Sequence, residues 1–274
     1  MECIVPRLGR RTFGQRLPPV VGRINFCVID LTLFGHPNID FKMTCPIPGG
    51  FLVAIEGIDG SGKTTVANLL AEFCKQNRLS HIVSKEPTKG TFGKQIRDSA
   101  IRGRLTVEEE VDLLTKDRKE HVETIIRPAL DAEKIVLLDR YYFSTAAYQG
   151  AHGADAEAIL KSNESFAPQP DLLIVLDVDP KTGIERIKQR GDEPNKFETM
   201  ESLHKARQIF RHINRPFKVL VDAEKKIEAV SFFVGKTFQM TAMNKISKND
   251  FSLRGLNRTR EFFGADRLPI PSAA

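Results

Sequence analysis

Several features that would place a chain of 274 residues in a special class are missing here. No uncharged apolar run approaches the roughly 18 residues that a membrane span needs. The best, residues 171–178, is short and opens on Asp171. Cysteine is scarce and unpaired: Cys3, Cys27, Cys45 and Cys74 form no C-x-x-C pair and have no histidine at ligand spacing. That argues against a disulfide framework or a zinc site and for reduced thiols in a cytoplasmic protein. There is no internal repeat and no low-complexity linker. What is present, 41% hydrophobic and 28% charged residues, is ordinary globular composition and excludes disorder throughout.

A net charge of +6 invites a nucleic-acid reading until it is located. Residues 1–48 carry +3 and residues 236–274 carry +4, which leaves the middle at −1. Basicity belongs to the two ends, so no nucleic acid is expected at the core. The first 48 residues mix Arg7, Arg10, Arg11, Arg16 and Arg23 with Pro and Gly and show no period. Two readings stay open for residues 1–42. They are dispensable sequence ahead of a start at Met43, or they are a genuine leader, for which an Arg-rich, acid-poor stretch suits a transit peptide but the lack of serine does not. The expected organisation is an irregular extension over 1–48, a catalytic domain over 49–240 and a basic, loosely ordered tail over 241–274.

Short apolar runs at Phe51–Glu56, His81–Ser84, Ile135–Asp139, Leu172–Asp177 and Phe217–Asp222 alternate with helical patterns at Lys63–Gln76, Val107–Asp131, Lys181–Gln189 and Glu198–His212. Buried strands alternating with helices specify an α/β fold with a mainly parallel sheet of about five strands. Between the first strand and helix lies Gly57-Ile58-Asp59-Gly60-Ser61-Gly62-Lys63-Thr64, then Thr65. This satisfies G-x-x-x-x-G-K-[ST] in the required strand-loop-helix context. The glycines let backbone N–H groups curl around a phosphate at a helix N-terminus. Lys63, expected to be exposed, supplies a point charge for β- and γ-phosphates, and the Thr64 hydroxyl is a magnesium ligand. A chance match arises in about one chain in a hundred of this length. No guanine-reading N/T-K-x-D segment follows a strand, which argues against a GTPase.

Asp139-Arg140 closes a strand beside the loop. Asp139 suits a magnesium ion held through water, and Arg140 suits bidentate grip of an acceptor phosphate. Arg186, Lys188 and Arg190, ahead of Gly191-Asp192-Glu193-Pro194, have the character of a cationic closing lid.

Taken in order, these motifs, with Lys85-Glu86-Pro87, Gly93-Lys94-Gln95-Ile96-Arg97, Asp117-Arg118-Lys119-Glu120-His121, Asp139-Arg140-Tyr141, Ala147-Tyr148-Gln149 and Phe197-Glu198, resemble bacterial-type thymidylate kinases over roughly residues 51–238. The resemblance implies the three-layer P-loop NTPase fold of nucleoside monophosphate kinases, ATP with Mg2+, transfer of the γ-phosphoryl group to dTMP, and a possible homodimer. By position it implies that Asp59 meets the sugar 3′-hydroxyl and that Arg97 and Arg140 grip the acceptor phosphate. It places Arg118 beside thymine, Thr145, Tyr148 and Gln149 in the base and sugar pocket, Glu86 on the substrate side, and adenine near Asp222-Ala223. It makes Lys63, Arg140 and the lid residues Arg186 and Arg190 the catalytic cations, and Thr64 with Asp139 the metal site.

Departures from the pattern are as informative. Leu114 stands where the family usually carries a phenylalanine that stacks on thymine, Glu-Pro-Gly-Gly reads Glu86-Pro87-Thr88-Lys89, and the lid end reads Asn195-Lys196-Phe197-Glu198. Two alternatives stay open: a kinase for another nucleoside monophosphate, and a non-catalytic P-loop regulator. Because residues 1–42 lack any period, a chain begun at Met43 is expected to keep full phosphoryl transfer. An insoluble or inactive truncation would refute that.

Overall fold

Each of the five apolar runs becomes a strand: β1 (Phe51–Glu56), β2 (His81–Lys85), β3 (Ile135–Asp139), β4 (Leu172–Asp177) and β5 (Lys218–Asp222). They pair in parallel throughout, in the order β2-β3-β1-β4-β5. Every residue of β1 and β3 is buried. Central strands covered on both faces have no polar side to alternate with, which is why they read as unbroken apolar runs. The structure, a computed structural model, describes residues 46–103, 105–191 and 199–249. The expected α/β fold with a five-stranded parallel sheet is borne out.

The flanking helices are α1 (Lys63–Gln76), α2 (Thr91–Arg102), α3 (Val107–His121), α4 (Arg127–Asp131), α5 (Tyr142–Ala151), α6 (Ala156–Glu164), α7 (Pro180–Gln189), α8 (Met200–His212) and α9 (Ile227–Asn249). Thr106 starts α3 with a capping box, its hydroxyl accepting from Glu109 N and its own N–H donating to Glu109. The single helix expected over 107–131 is divided by a π-turn at Val122–Ile126. Pro128, which has no N–H to return to the preceding turn, follows directly. Asp179 caps α7 and Pro180 opens it, and Thr199 caps α8.

Helix α9 was not anticipated, and it runs through the boundary expected at residue 240. Phe238 is fully buried, edge-on to Phe51 at 5.4 Å and to Phe73 at 5.9 Å. Ala242 is buried as well, and Lys245 pairs with Asp171 at 2.8 Å. Ala242, Lys245 and Ile246 therefore pack with the domain. Met43, the other three cysteines, the lid segment 192–198 and the tail 250–274 lie outside the described residues. Cys74 is a free, buried thiol. Among the described residues no helix is long and apolar enough to cross a membrane.

For the site, the strand ends matter most. With β1 between β3 and β4, the chain leaves β1 for one half of the sheet and later builds the other. Ligands of such sheets bind beyond the carboxyl ends of the strands at that reversal. Glu56, Lys85, Asp139 and Asp177 all end strands there.

Candidate active site

The loop from Gly57 to Thr64 turns off β1 and feeds α1. Gly60, at φ +79°, lies so close to α7 that an added Cβ would sit 2.1 Å from the Gly183 carbonyl. The contact is mutual, since a Cβ on Gly183 would lie 2.5 Å from the Asp59 carbonyl. Two glycines thus allow the loop to dock on the helix that carries Arg186 and ends at Arg190 as its C-cap. Gly183 was overlooked because a glycine inside a helical pattern signals only a weakened helix.

A cavity of about 450 Å³ opens over the loop, lined among others by Asp59, Lys63, Thr64, Lys85, Arg140 and Arg190. Cations predominate, which suits a polyanion. Lys63 is buried, with 6% of its surface exposed, contrary to expectation. Its ammonium donates to the carbonyls of Gly57 at 3.0 Å and Ile58 at 2.8 Å and lies 3.5 Å from Asp59. The loop curls over the lysine, so this side chain braces the loop. Burial pulls the Lys63 pKa down to about 8, and the Arg140 charge adds to this against Asp59 and Asp139.

Arg140 lies just past β3 with φ +76°, a left-handed conformation that a non-glycine residue seldom adopts. Its guanidinium pairs with Asp59 and stands 5.3 Å over the Tyr148 ring. Such strain at a site is held by the surroundings, here through Arg140 N–H donating to Ile55 O at 3.1 Å. Thr64 Oγ1 donates to Asp139 Oδ2 at 2.6 Å, and Lys85 lies 3.4 Å from the same oxygen. Asp139 Oδ1 and Ser61 Oγ are buried without a hydrogen-bond partner among the described residues.

On the far side of Arg140, α3 and α5 pack together. Arg118 is 1% exposed. It is held by Glu86 at 2.8 Å, Asn163 Oδ1 at 2.7 Å and Thr145 Oγ1 at 3.0 Å, with Tyr141 beneath its guanidinium at 5.7 Å. His121 bridges Glu86 at 3.0 Å and Ser84 at 2.8 Å. Gln149 donates to Glu110 at 2.8 Å. Leu114 is half-buried between Glu110 and Arg118 on α3. Arg97 is spent on the carbonyls of Pro87 and Thr88, at 3.2 and 2.6 Å. The structure thus gathers Asp59, Lys63, Thr64, Arg140 and Arg190 at the cavity, with Asp139 bonded to Thr64, and joins Glu86, Arg118 and Thr145 in a separate buried network. Arg186 lies apart, donating to Ala223 O at 2.9 Å.

Residues 55–233 match the model of the family described as thymidylate kinase. A protein named thymidylate kinase from Xanthomonas campestris pv. campestris is 52% identical over 183 residues, which cover 67% of this chain and 80% of that protein. One of the same name from Xylella fastidiosa is 50% identical over 184 residues, covering 67% and 84%. The chain belongs to the thymidylate kinase family.

Within a thymidylate kinase frame, the altered Glu86-Pro87-Thr88-Lys89 turn has a local explanation. Thr88 donates its N–H to Asp117 Oδ2 at 2.8 Å and its hydroxyl to Oδ1 at 2.5 Å, pinning the turn to α3. The side chain that replaces glycine finds a buried acceptor.

Glu56, the last residue of β1, has no role assigned by the sequence pattern. It is fully buried and accepts from Tyr141 N at 2.7 Å, Ser144 N at 3.1 Å and Ser144 Oγ at 2.6 Å. It thereby ties β1 to the turn that carries Arg140. Burial pushes its pKa up to about 7, against those hydrogen bonds and the nearby Arg140 and Lys63 charges. An acid whose pKa rises on folding binds its proton more tightly when folded. Its cost to stability is therefore absent at low pH and grows as pH rises from about 4.5 to 7. Glu56→Gln should gain about 1 to 3 kcal/mol relative to the native chain between pH 5 and pH 8. Urea denaturation at the two pH values measures it, and a pH-independent difference would contradict the assignment.

Proposed function

We propose that this protein transfers the γ-phosphoryl group of ATP to a phosphate oxygen of dTMP, giving ADP and dTDP. The observation that supports it most is the cation-lined cavity between the glycine loop and Arg140, whose guanidinium lies against Tyr148 of α5. One end suits a triphosphate and the other an acceptor nucleotide. The cytoplasm as its location and a homodimer belong to the same reading.

The acceptor phosphate is already a nucleophile at neutral pH, so the reaction needs positioning and charge stabilisation rather than a general base. The bond from the γ-phosphorus to its bridging oxygen breaks as the bond to the dTMP oxygen forms. Loop N–H groups and Lys63 hold the donor phosphates. Arg140 exchanges Asp59 for the acceptor phosphate, and Asp59 then faces the sugar 3′-hydroxyl. Arg190, at the cavity edge, is the better placed lid cation, since Arg186 is committed to Ala223. Arg97 joins the phosphate grip only by leaving the Pro87 and Thr88 carbonyls. Thr64 and the unpartnered oxygen of Asp139 fit Mg2+, which when bound neutralises phosphate charge. Lid closure excludes water that would otherwise hydrolyse ATP.

Arg118, Thr145, Tyr148 and Gln149 receive the base, with Leu114 in place of a stacking ring. Losing that ring costs about 0.5 to 1.5 kcal/mol of base affinity. In a panel of nucleoside monophosphates dTMP should be the best acceptor, with weak discrimination against dUMP. Leu114→Phe should lower the KM for dTMP several-fold with little change in kcat, because the base is held alike in ground and transition states. A tenfold preference for another nucleotide would sink the thymidylate assignment, and no ADP release with any acceptor would sink the kinase reading.

A further inference from the structure

We infer that Arg207, which does not line the cavity, is a positioning residue for the donor side of the site, an inference that rests on the kinase reading above. Arg207 belongs to α8, yet its guanidinium lies at the base of α7. Nε donates to Asp177 Oδ1 at 2.7 Å and Nη2 to Oδ2 at 3.2 Å, while Nη1 donates to Asp179 Oδ2 at 2.8 Å. Asp177 ends β4 and Asp179 caps α7, so one side chain joins three elements.

Surface ion pairs usually count for little, but a planar fork spread over two carboxylates is the geometry in which they hold. Here the Arg207 side chain is 19% exposed and that of Asp177 15%. The helix from which Arg207 reaches is firmly seated. Leu203, Ala206 and Phe210 bury its inner stripe, and Phe210 stands edge-on to Tyr148 of α5 at 6.3 Å. Tyr148 in turn lies under Arg140, so α8 is fixed against the helix on which the acceptor-side cation rests.

What α7 carries explains why its base matters. Asp179, Gly183, Ile187 and Arg190 succeed one another at three- or four-residue steps, along one side of the helix. Gly183 makes the close approach to Asp59 and Gly60 of the glycine loop, and Ile187 and Arg190 line the cavity. At 1.5 Å per residue, roughly 16 Å separate the carboxylate of Asp179 from Arg190 along the helix, so a small tilt at the first turn becomes a larger displacement at the cation. Two other bonds hold α7, from Asp179 N–H to Glu224 at 2.6 Å and from Arg186 to Ala223 O at 2.9 Å. Both lead to the turn after β5. Arg207 ties the helix to β4 and, through α8, to α5, and thereby sets Arg190 relative to Arg140.

The experiment compares kcat and the KM values for ATP and dTMP in the full chain and its Arg207→Gln, Asp179→Asn and Arg211→Gln variants, with thermal unfolding of each. Arg140 keeps its seat on Tyr148 when Arg207 is lost. Arg207→Gln should therefore lower kcat and raise the KM for ATP, reducing kcat/KM for ATP about tenfold, with the KM for dTMP held within about twofold. Asparagine still caps a helix, so Asp179→Asn removes the ion pair alone. It should move the same constants in the same direction, and adding it to Arg207→Gln should change little, because both break one link. Arg211 reaches Asp177 at 3.1 Å but not Asp179, and Arg211→Gln should leave every constant within about twofold of the native chain. If Arg207→Gln does not fold, Asp179→Asn decides the matter. Suppose the native chain phosphorylates dTMP, but the folded variant leaves kcat and the KM for ATP near native, raises both KM values alike, or is matched by Arg211→Gln; any of these overturns this inference alone. A native chain that releases no ADP with any acceptor overturns it together with the kinase reading.

Discussion

Like charges crowd the carboxyl ends of β1 and β3, and what keeps them there governs the rest of the site. Lys63 and Arg140 are drawn together over the glycine loop, and Asp59 pairs with both. Glu56 below fixes the turn that presents Arg140, and Asp139 takes the Thr64 hydroxyl and attracts Lys85. Buried cations of this kind survive only where carboxylates and carbonyls compensate them. The sheet supplies those partners because its strands end together, with Asp139 in register with Ile55 and Lys85.

Much of this was legible from the residues. Unbroken apolar runs located the strands, and the glycine loop located the anion site. Helices α5 and α9 were harder to find, for one physical reason. Tyr142, Phe143, Thr145, Ala146, Ala147 and Gln149 are all buried, so α5 has no exposed stripe and no helical period in its hydrophobicity. Along α9, Phe232, Phe233, Met240 and Met243 are exposed while Val234, Phe238 and Ala242 are buried, which blurs the contrast between its faces. The resemblance assigned substrate contacts to Arg118, Thr145 and Gln149, but no spacing rule reveals that Glu110, Asn163 and His121 hold their network. Those partners come from separate elements, and only the fold brings them together.

Specificity and catalysis are built differently in this molecule. In the proposed function the phosphate end relies on backbone and on charges that any nucleoside triphosphate would satisfy. The base end there relies on the buried network of Arg118 and its four partners. Leu114 follows Glu110 and precedes Arg118 at four-residue steps on α3, where shape rather than charge is altered. Family membership is therefore compatible with a change in base affinity that leaves the phosphoryl-transfer machinery whole.

The central claim is that the glycine loop holds the phosphates of the donor and that Lys63 is its principal cation. Phosphoryl transfer by Lys63→Ala, with circular dichroism recorded on the same sample, tests this most directly. The account predicts a native-like spectrum with transfer reduced about a hundredfold or more. A folded variant that transfers phosphate at near-native rate would contradict it.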